Sequence, residues 1–346
     1  MDQKLQPARI AEEATPGSGS PVVGNDTAAL QAAHQSAALW NCSHWGCIQV
    51  KGGDRLRFLH NQSTNDFYRL VPGQGCDTLF VTATARTIDL VTAYVLEESV
   101  LLRVAPSQRQ ALLSFLDRYI FFADQVTLTD TTDQTGVLSL MGPQSHQLLA
   151  QLSHEDWHQE PPGSHRLTQL QDIPVRVAVG TGLGLPGYTL LMDRTKVPAL
   201  WQQLVTAGAV PMGDQAWEEL RITQGRPLPG TELTTDYNPL EAGLWHLISF
   251  DKGCYIGQET IARLDTYKGV KQQLWGVQLG GPVAPGSLVT VGGEKVGQLT
   301  SVVTSERGVR GLAYIRTRAG GAGLTVQVGP VTGEIVDVPF LSHGRR

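Results

Sequence analysis

Short β-rich runs and helical stretches alternate along the chain, and their spacing predicts most of the elements. An alanine-rich stretch at 28–39 suits a helix, with Asp26 or Thr27 as its cap. Residues 45–50 read as a strand. Gly52-Gly53-Asp54 then turns into a helix whose apolar side is Leu56, Phe58 and Leu59. The runs 79–85, 89–96 and 100–104 are rich in β-formers and separated by short polar turns, which predicts an antiparallel sheet. Pro106 opens a helix ending near Arg118, because proline fits a first helical turn.

Strands at 126–129 and 136–141, a helix at 143–152 and a loop at 153–165 follow. Residues 175–179 and 188–192 pair as strands around a glycine-rich turn. Residues 194–207 and 213–223 read as helices. This grouping indicates an α+β layout with antiparallel sheets, not a doubly wound parallel one. After Lys268 the pattern changes to six short β-type runs (272–279, 288–291, 296–304, 308–315, 324–327 and 333–338) joined by Gly-Gly, Pro-Gly and similar turns. That spacing implies a small antiparallel barrel or sandwich. The expected organisation is a polar, Pro/Gly/Ser-rich mobile tail at 1–25, a main region at 26–268 and a C-terminal β domain at 269–346.

Composition narrows the function. The chain has 346 residues, 41% apolar and 17% charged, with a net charge of −5. Such a balance fits well-filled cores and argues against a broad basic surface for nucleic acid. No apolar run approaches the ~20 residues needed to cross a bilayer, and the first residues lack the apolar segment of a secretory signal. A soluble, cytoplasmic protein without a membrane partner is expected. The four cysteines, Cys42, Cys47, Cys76 and Cys254, form no Cys-x-x-Cys pair and fit a reducing compartment. Cys42, His44 and Cys47 lack a second ligand pair, so buried or loop cysteines outweigh a metal site there.

The densest chemistry lies in Lys252-Gly253-Cys254-Tyr255-Ile256-Gly257-Gln258-Glu259, with Arg263 one turn further on. A cysteine between two glycines, beside a lysine and just before a helix, has its thiolate favoured by unpaired N–H groups and by the ammonium. Glu259 and Arg263, four apart, make either a surface ion pair or an anion site in which Arg263 or Lys252 takes part. Gly182-x-Gly184-x-x-Gly187 has the letters of a dinucleotide fingerprint, but a strand follows it where a helix is required, so it reads as a hairpin turn.

The run Lys-Gly-Cys-Tyr-Ile-Gly-Gln-Glu-x-x-x-Arg resembles the signature of the YgfZ family. Members are folate-binding proteins that support maturation or repair of iron–sulfur enzymes, and they are related to the aminomethyltransferase (T-protein) of the glycine cleavage system. Phe58-Leu59-His60-Asn61-Gln62-Ser63-Thr64-Asn65-Asp66, the segment from Arg221 to Leu233, and Pro239-Leu240-Glu241-Ala242-Gly243-Leu244-Trp245 carry the likeness over roughly residues 27–340. It implies a GcvT-like fold of two α+β domains, which can interleave in sequence, plus a C-terminal β-barrel around a central opening. It also implies tetrahydrofolate or a derivative as ligand, iron–sulfur client enzymes as partners, Cys254 as the functional thiol, and Lys252, Gly253, Gly257, Gln258, Glu259 and Arg263 as its support.

The expected folate contacts are Asn65, Asp89, Arg221 and Trp245, bordering a cavity between the two α+β domains. For each a plainer role stands beside this one: a backbone or Arg86 contact for Asp89, a helix C-terminal charge for Arg221, core filling for Trp245. Two departures separate this chain from T-proteins. Asp89-Leu90 stands where they carry two aspartates, and Leu185 stands at about the place of their pterin-binding glutamate. The leading expectation is a folate-binding accessory of iron–sulfur enzymes. The alternative is a tetrahydrofolate-dependent one-carbon transferase, which would need a carboxylate near the folate nitrogens.

Overall fold

A computed structural model describes residues 26–345. The tail expected at 1–25 lies outside these. Helix α1 (Asp26–Gln35) leads into β1 (Ala38–Asn41). Next come β2 (Gly46–Lys51), α2 (Arg55–Gln62), β3 (Gly75–Val81), β4 (Thr87–Val95), β5 (Ser99–Val104), α3 (Arg109–Asp117) and β6 (Thr127–Asp130). The chain then continues through β7 (Thr135–Met141), α4 (Ser145–Ser153), β8 (His165–Leu170), β9 (Ile173–Val179), β10 (Gly187–Asp193), α5 (Val197–Thr206), β11 (Val210–Met212) and α6 (Asp214–Gln224). After a long irregular segment, α7 (Gln258–Thr266) precedes β12 (Gln272–Leu279), β13 (Leu288–Val291), β14 (Glu294–Ser305), β15 (Gly308–Arg316), β16 (Thr325–Val328) and β17 (Val331–Val336).

Two open sheets and a closed barrel result. The six-stranded sheet has the order β11-β1-β7-β10-β9-β8, and the five-stranded sheet the order β3-β4-β5-β2-β6. Strand β1 pairs antiparallel with β7 and parallel with β11. The five-stranded unit is therefore an insertion between two neighbouring strands of the other sheet. The last six strands close as β12-β15-β14-β13-β16-β17. This is the expected α+β architecture, with a closed barrel rather than a sandwich at its end. No described helix is long and apolar enough to cross a membrane.

The structure corrects the first helix. It stops at Gln35 and β1 takes over, although 28–39 is rich in good helix formers. Burial on both faces overrides that local preference. Leu39 packs in the core under α4 and α5, while Trp40 packs on the other face and stacks on Trp217 at 4.5 Å. Strand β8 begins at the last residue of the expected loop, with His165, Thr168 and Leu170 buried and Leu167 and Gln169 exposed.

His165, the first residue of β8, ties the two sheets together. Its backbone N–H donates to Gly73 O at 2.7 Å, and its ring lies edge-on to Tyr94 of β4 at 5.6 Å. Arg176 Nη1 is 3.1 Å from Nδ1, and Gln74 O is 3.2 Å from Nε2. A guanidinium only donates, so Nδ1 accepts and the proton sits on Nε2, facing the carbonyl. Burial first, and then the Arg176 charge, push this imidazole down to about 4. The unfolded chain takes up the proton near pH 6.5 and the folded one does so only near 4, so acid favours unfolding across that window. Stability is expected to drop by on the order of 2–3 kcal/mol from this group between pH 6.5 and 4. Urea midpoints for the wild type and His165→Gln across that range test it. An unchanged pH slope in the variant would refute the assignment.

Candidate functional site

A cavity of about 350 Å³ lies where the two sheets face each other, closed on a third side by the chain after α6 and by Phe340. Its volume is at the small end of the usual ligand range. One wall is a cross-strand row. Asp77 of β3 stands opposite Thr92 of β4, which stands opposite Arg103 of β5, so all three share one face of the sheet. Thr92 Oγ1 donates to Asp77 Oδ1 at 2.6 Å. The other carboxylate oxygen has no protein donor among the described residues, and both Asp77 and Thr92 line the cavity. The opposite wall is the β9–β10 hairpin with Thr181, Gly182, Leu183 and Thr189, which places the Gly-x-Gly-x-x-Gly letters in a turn.

Of the four expected ligand contacts, only Asn65 lies on this wall, its Nδ2 donating to Asp77 O at 2.9 Å. The other three do not line it. Asp89 is fully buried and accepts from the N–H groups of Leu90 (2.8 Å) and Ala105 (2.9 Å). Burial pushes its carboxyl up to about 7, against the pull of those two bonds and of Arg226. Arg86 instead donates to Asp236 O. Arg221 is buried between Glu218, Glu232 and Ser301, where it joins α6 to the barrel. Trp245 fills the core and donates to Leu240 O, while its neighbour His246 reaches the cavity. Asp77 was missed because a single acidic residue near the start of a β-run carries no local signal. Only the strand register puts it on a cavity wall.

The cysteine loop lies behind the Asn65 wall. Lys252 is buried, and its ammonium donates to the carbonyls of His60 (2.5 Å), Ser63 (2.8 Å) and Asn65 (2.6 Å). Burial pushes it down to about 8, and its electrostatic partners are Asp66 and Cys76. The lysine therefore supports the loop structurally. Cys254 itself is exposed. Gly257 caps α7 with φ of 82°, and a Cβ there would lie 2.8 Å from Thr82 O. Backbone geometry thus requires that glycine. A Cβ at Gly253 would lie 3.6 Å from His60 Nε2, an ordinary contact, so space does not demand glycine there. Gln258 and Glu259 open α7 as expected, but Glu259 and Arg263 are both exposed and form no ion pair among the described residues.

Residues 21–252 match the family model described as the GCVT N-terminal domain. The chain belongs to that family. A chloroplastic protein of Arabidopsis thaliana named "putative transferase" is 47% identical over 322 residues, covering 92% of this chain and 74% of that protein. The aminomethyltransferase of Rubrobacter xylanophilus is 31% identical over 330 residues, covering 92% and 88% respectively. The fold is that of the glycine cleavage system aminomethyltransferase T from Bartonella henselae, with a TM-score of 0.81 at 20% identity over 92% of this chain and 90% of the other.

Within this GCVT-family chain the four thiols differ sharply. Burial pushes Cys42 up to about 11 and Cys47 up to about 12, and Cys42 Sγ donates to Val137 O. Cys76, on the cavity wall, is pushed up to about 12 by burial and then by Asp77. Iodoacetamide at pH 8 should therefore label Cys254 at least about tenfold faster than the other three, read by peptide mass spectrometry. Faster labelling of any of them would show that exposure does not govern reactivity here.

Proposed function

We propose that the chain binds a reduced folate in the central cavity and works as a folate-dependent one-carbon transferase of the aminomethyltransferase type. The observation that carries this reading is Asp77, a carboxylate on the cavity wall with one oxygen held by Thr92 and the other open to a ligand. A carboxylate there can accept from a ligand N–H or steady a positive charge that develops on a nitrogen during transfer of a one-carbon group. The family relatives named aminomethyltransferases support the same class of chemistry. Leu185 packs on the apolar cluster around Trp40 and Trp45. The turn thus lacks the glutamate that the T-protein resemblance assigns to the pterin, and this weighs against aminomethyl as the group transferred.

Tetrahydrofolate should bind saturably at one site per chain in a calorimetric titration. Asp77→Asn should weaken that binding by about 10- to 100-fold, the range for losing a hydrogen bond to a charged group. Binding unchanged in the variant would remove Asp77 from the site. Turnover with aminomethylated carrier protein and tetrahydrofolate, above a no-enzyme control, would make aminomethyl the group transferred despite Leu185.

A second reading follows from Cys254. The YgfZ-type motif presents an exposed thiol on a loop anchored to the cavity's Asn65 wall, which suits an accessory of iron–sulfur enzymes whose thiol acts outside the folate cavity. Cys254→Ala should fold normally, since a thiol-to-methyl change at an exposed loop costs little packing. On this reading it fails to restore a cluster-dependent enzyme in cells lacking the protein. Full rescue would leave the transferase reading alone.

A further inference from the structure

The loop that carries Cys254 is pinned on both sides to the same turn of α2. Before the cysteine, Lys252 Nζ donates to His60 O; after it, Ile256 N–H donates to Asn61 O at 3.0 Å. Only Gly253, Cys254 and Tyr255 lie between these anchors, so the thiol is confined to the neighbourhood of the helix end. The side chain that meets the loop there is His60. A Cβ built on Gly253 would lie 3.6 Å from His60 Nε2, so this edge of the ring faces the residue just before Cys254. Consecutive Cα atoms are about 3.8 Å apart, and rotation about the Gly253 backbone can carry the exposed sulfur towards that nitrogen.

The surroundings of His60 are those of a base. The residue is 4% exposed, and no described residue hydrogen-bonds its Nε2. Asp66 Oδ1 lies 3.1 Å from Nδ1, an ion-pair distance although off the line of an ideal N–H bond. A carboxylate only accepts, so it keeps the proton on Nδ1 and leaves the lone pair on Nε2, towards the loop. Asp66 is fixed in turn by Arg69 Nε at 3.1 Å and by the Tyr68 N–H at 3.0 Å. The Tyr68 ring lies against the imidazole, centroids 4.1 Å apart, although this tyrosine is 60% exposed and fills no core. It screens one side of the imidazole from water. Burial first, and then the Lys252 ammonium, push His60 down from its ordinary value against the pull of Asp66, so the ring is neutral and able to accept a proton near pH 7.

We propose that His60, oriented by Asp66, is the base that takes the proton from Cys254 and makes this loop a thiolate nucleophile. Thiol, imidazole and carboxylate then follow the general order of an activated nucleophile: the attacking group, a base within its reach, and a third group that orients the base. In the step, the Cys254 S–H passes its proton to Nε2, Asp66 steadies the imidazolium, and the freed electron pair of the sulfur attacks an electrophile arriving from solvent. The inference rests on the second reading only in taking Cys254 as the working group, and it needs no ligand in the cavity.

Iodoacetamide alkylation of the full chain, followed at Cys254 by peptide mass spectrometry from pH 6.5 to 9.5, tests it. An unassisted thiol, with a pKa of about 8.5, is only about 1% ionised at pH 6.5, so a base contributes most there. His60→Gln is expected to slow labelling at least about fivefold at pH 6.5 and to match wild type within about twofold at pH 9.5, where a thiol ionises without help. The charged and titratable groups facing His60 are Lys252, Asp66 with its partner Arg69, and Tyr68. All remain in the variant, so what they contribute is common to both proteins. A merely structural role would change the rate by a similar factor at every pH. Asp66→Asn keeps the imidazole but loses the orienting charge, and a smaller loss at pH 6.5 with the same convergence at pH 9.5 is expected. Should His60→Gln fail to fold, as read by its melting curve, Asp66→Asn carries the test. Equal rates at pH 6.5 in wild type and the folded variants, or a loss that persists at pH 9.5, overturns the proposal. Full rescue of a cluster-dependent enzyme by Cys254→Ala would sink the accessory reading alone, because the labelling rates do not depend on it.

Discussion

The Lys252 ammonium, held by the carbonyls of His60, Ser63 and Asn65, is the contact on which the arrangement of the site depends. A helix ends with carbonyls that have no partner within it, and α2 ends at Gln62 among those three groups. Placing a cation there satisfies them and complements the helix dipole. The same contact has two further consequences. It fixes the backbone of Asn65, whose side chain lies on the cavity wall, and it seats the loop that presents Cys254 to solvent. Ile256 N–H to Asn61 O and Ser249 N–H to Thr64 O extend the seam on either side. One buried lysine thus ties an interior cavity wall to an exterior loop.

The cavity is electrostatically divided by its construction. The five-stranded sheet brings Asp77, Thr92 and Arg103 into one row, with the acid at the β3 end and the base at the β5 end. The β9–β10 hairpin then covers the basic end with Gly182. A Cβ on that residue would crowd Arg103 Nη2 at 2.8 Å, and its φ of 76° is left-handed, so both favour glycine there. Because β2–β6 are inserted between β1 and β7, the hairpin and the row belong to different sheets, and the division exists only once both have docked.

Local signals made the fold legible. The six barrel runs stand out through their turn residues, and Gly257 announces the start of α7 because a left-handed cap and a crowded approach both demand glycine. The cysteine motif is equally local and appears where it was expected. What was not legible depends on pairing over long distances. Strand β1 looks helical by composition and becomes a strand because two cores bury its faces. Asp89 sits at a plausible place in a β-run, yet the strand turns it inward to backbone donors, while Asp77 on the neighbouring strand, opposite Thr92, faces the cavity. Strand alternation gives two faces, and only the partner strands decide which is the wall. The same holds for Arg103, which reads in sequence as an ordinary charged residue within an apolar strand.

The barrel completes the site through α6 and the turn that follows it. Arg221 near the end of α6 bridges Glu232 at 3.1 Å and Ser301 of β14 at 2.9 Å, and Ser301 Oγ donates in turn to Glu232 Oε1 at 2.5 Å. Tyr314 of β15 donates to Glu232 O at 2.9 Å. Arg226 follows five residues after Arg221, past the left-handed Gly225 that ends the helix. A buried, fully connected network is rigid because breaking any member leaves an unpaired charge in a low-dielectric interior. Docking of the barrel therefore fixes the end of α6, the end of α6 fixes Arg226, and Arg226 holds the carbonyl of Gly182. The C-terminal domain acts on the cavity through this chain of contacts although none of its strands lines the cavity wall.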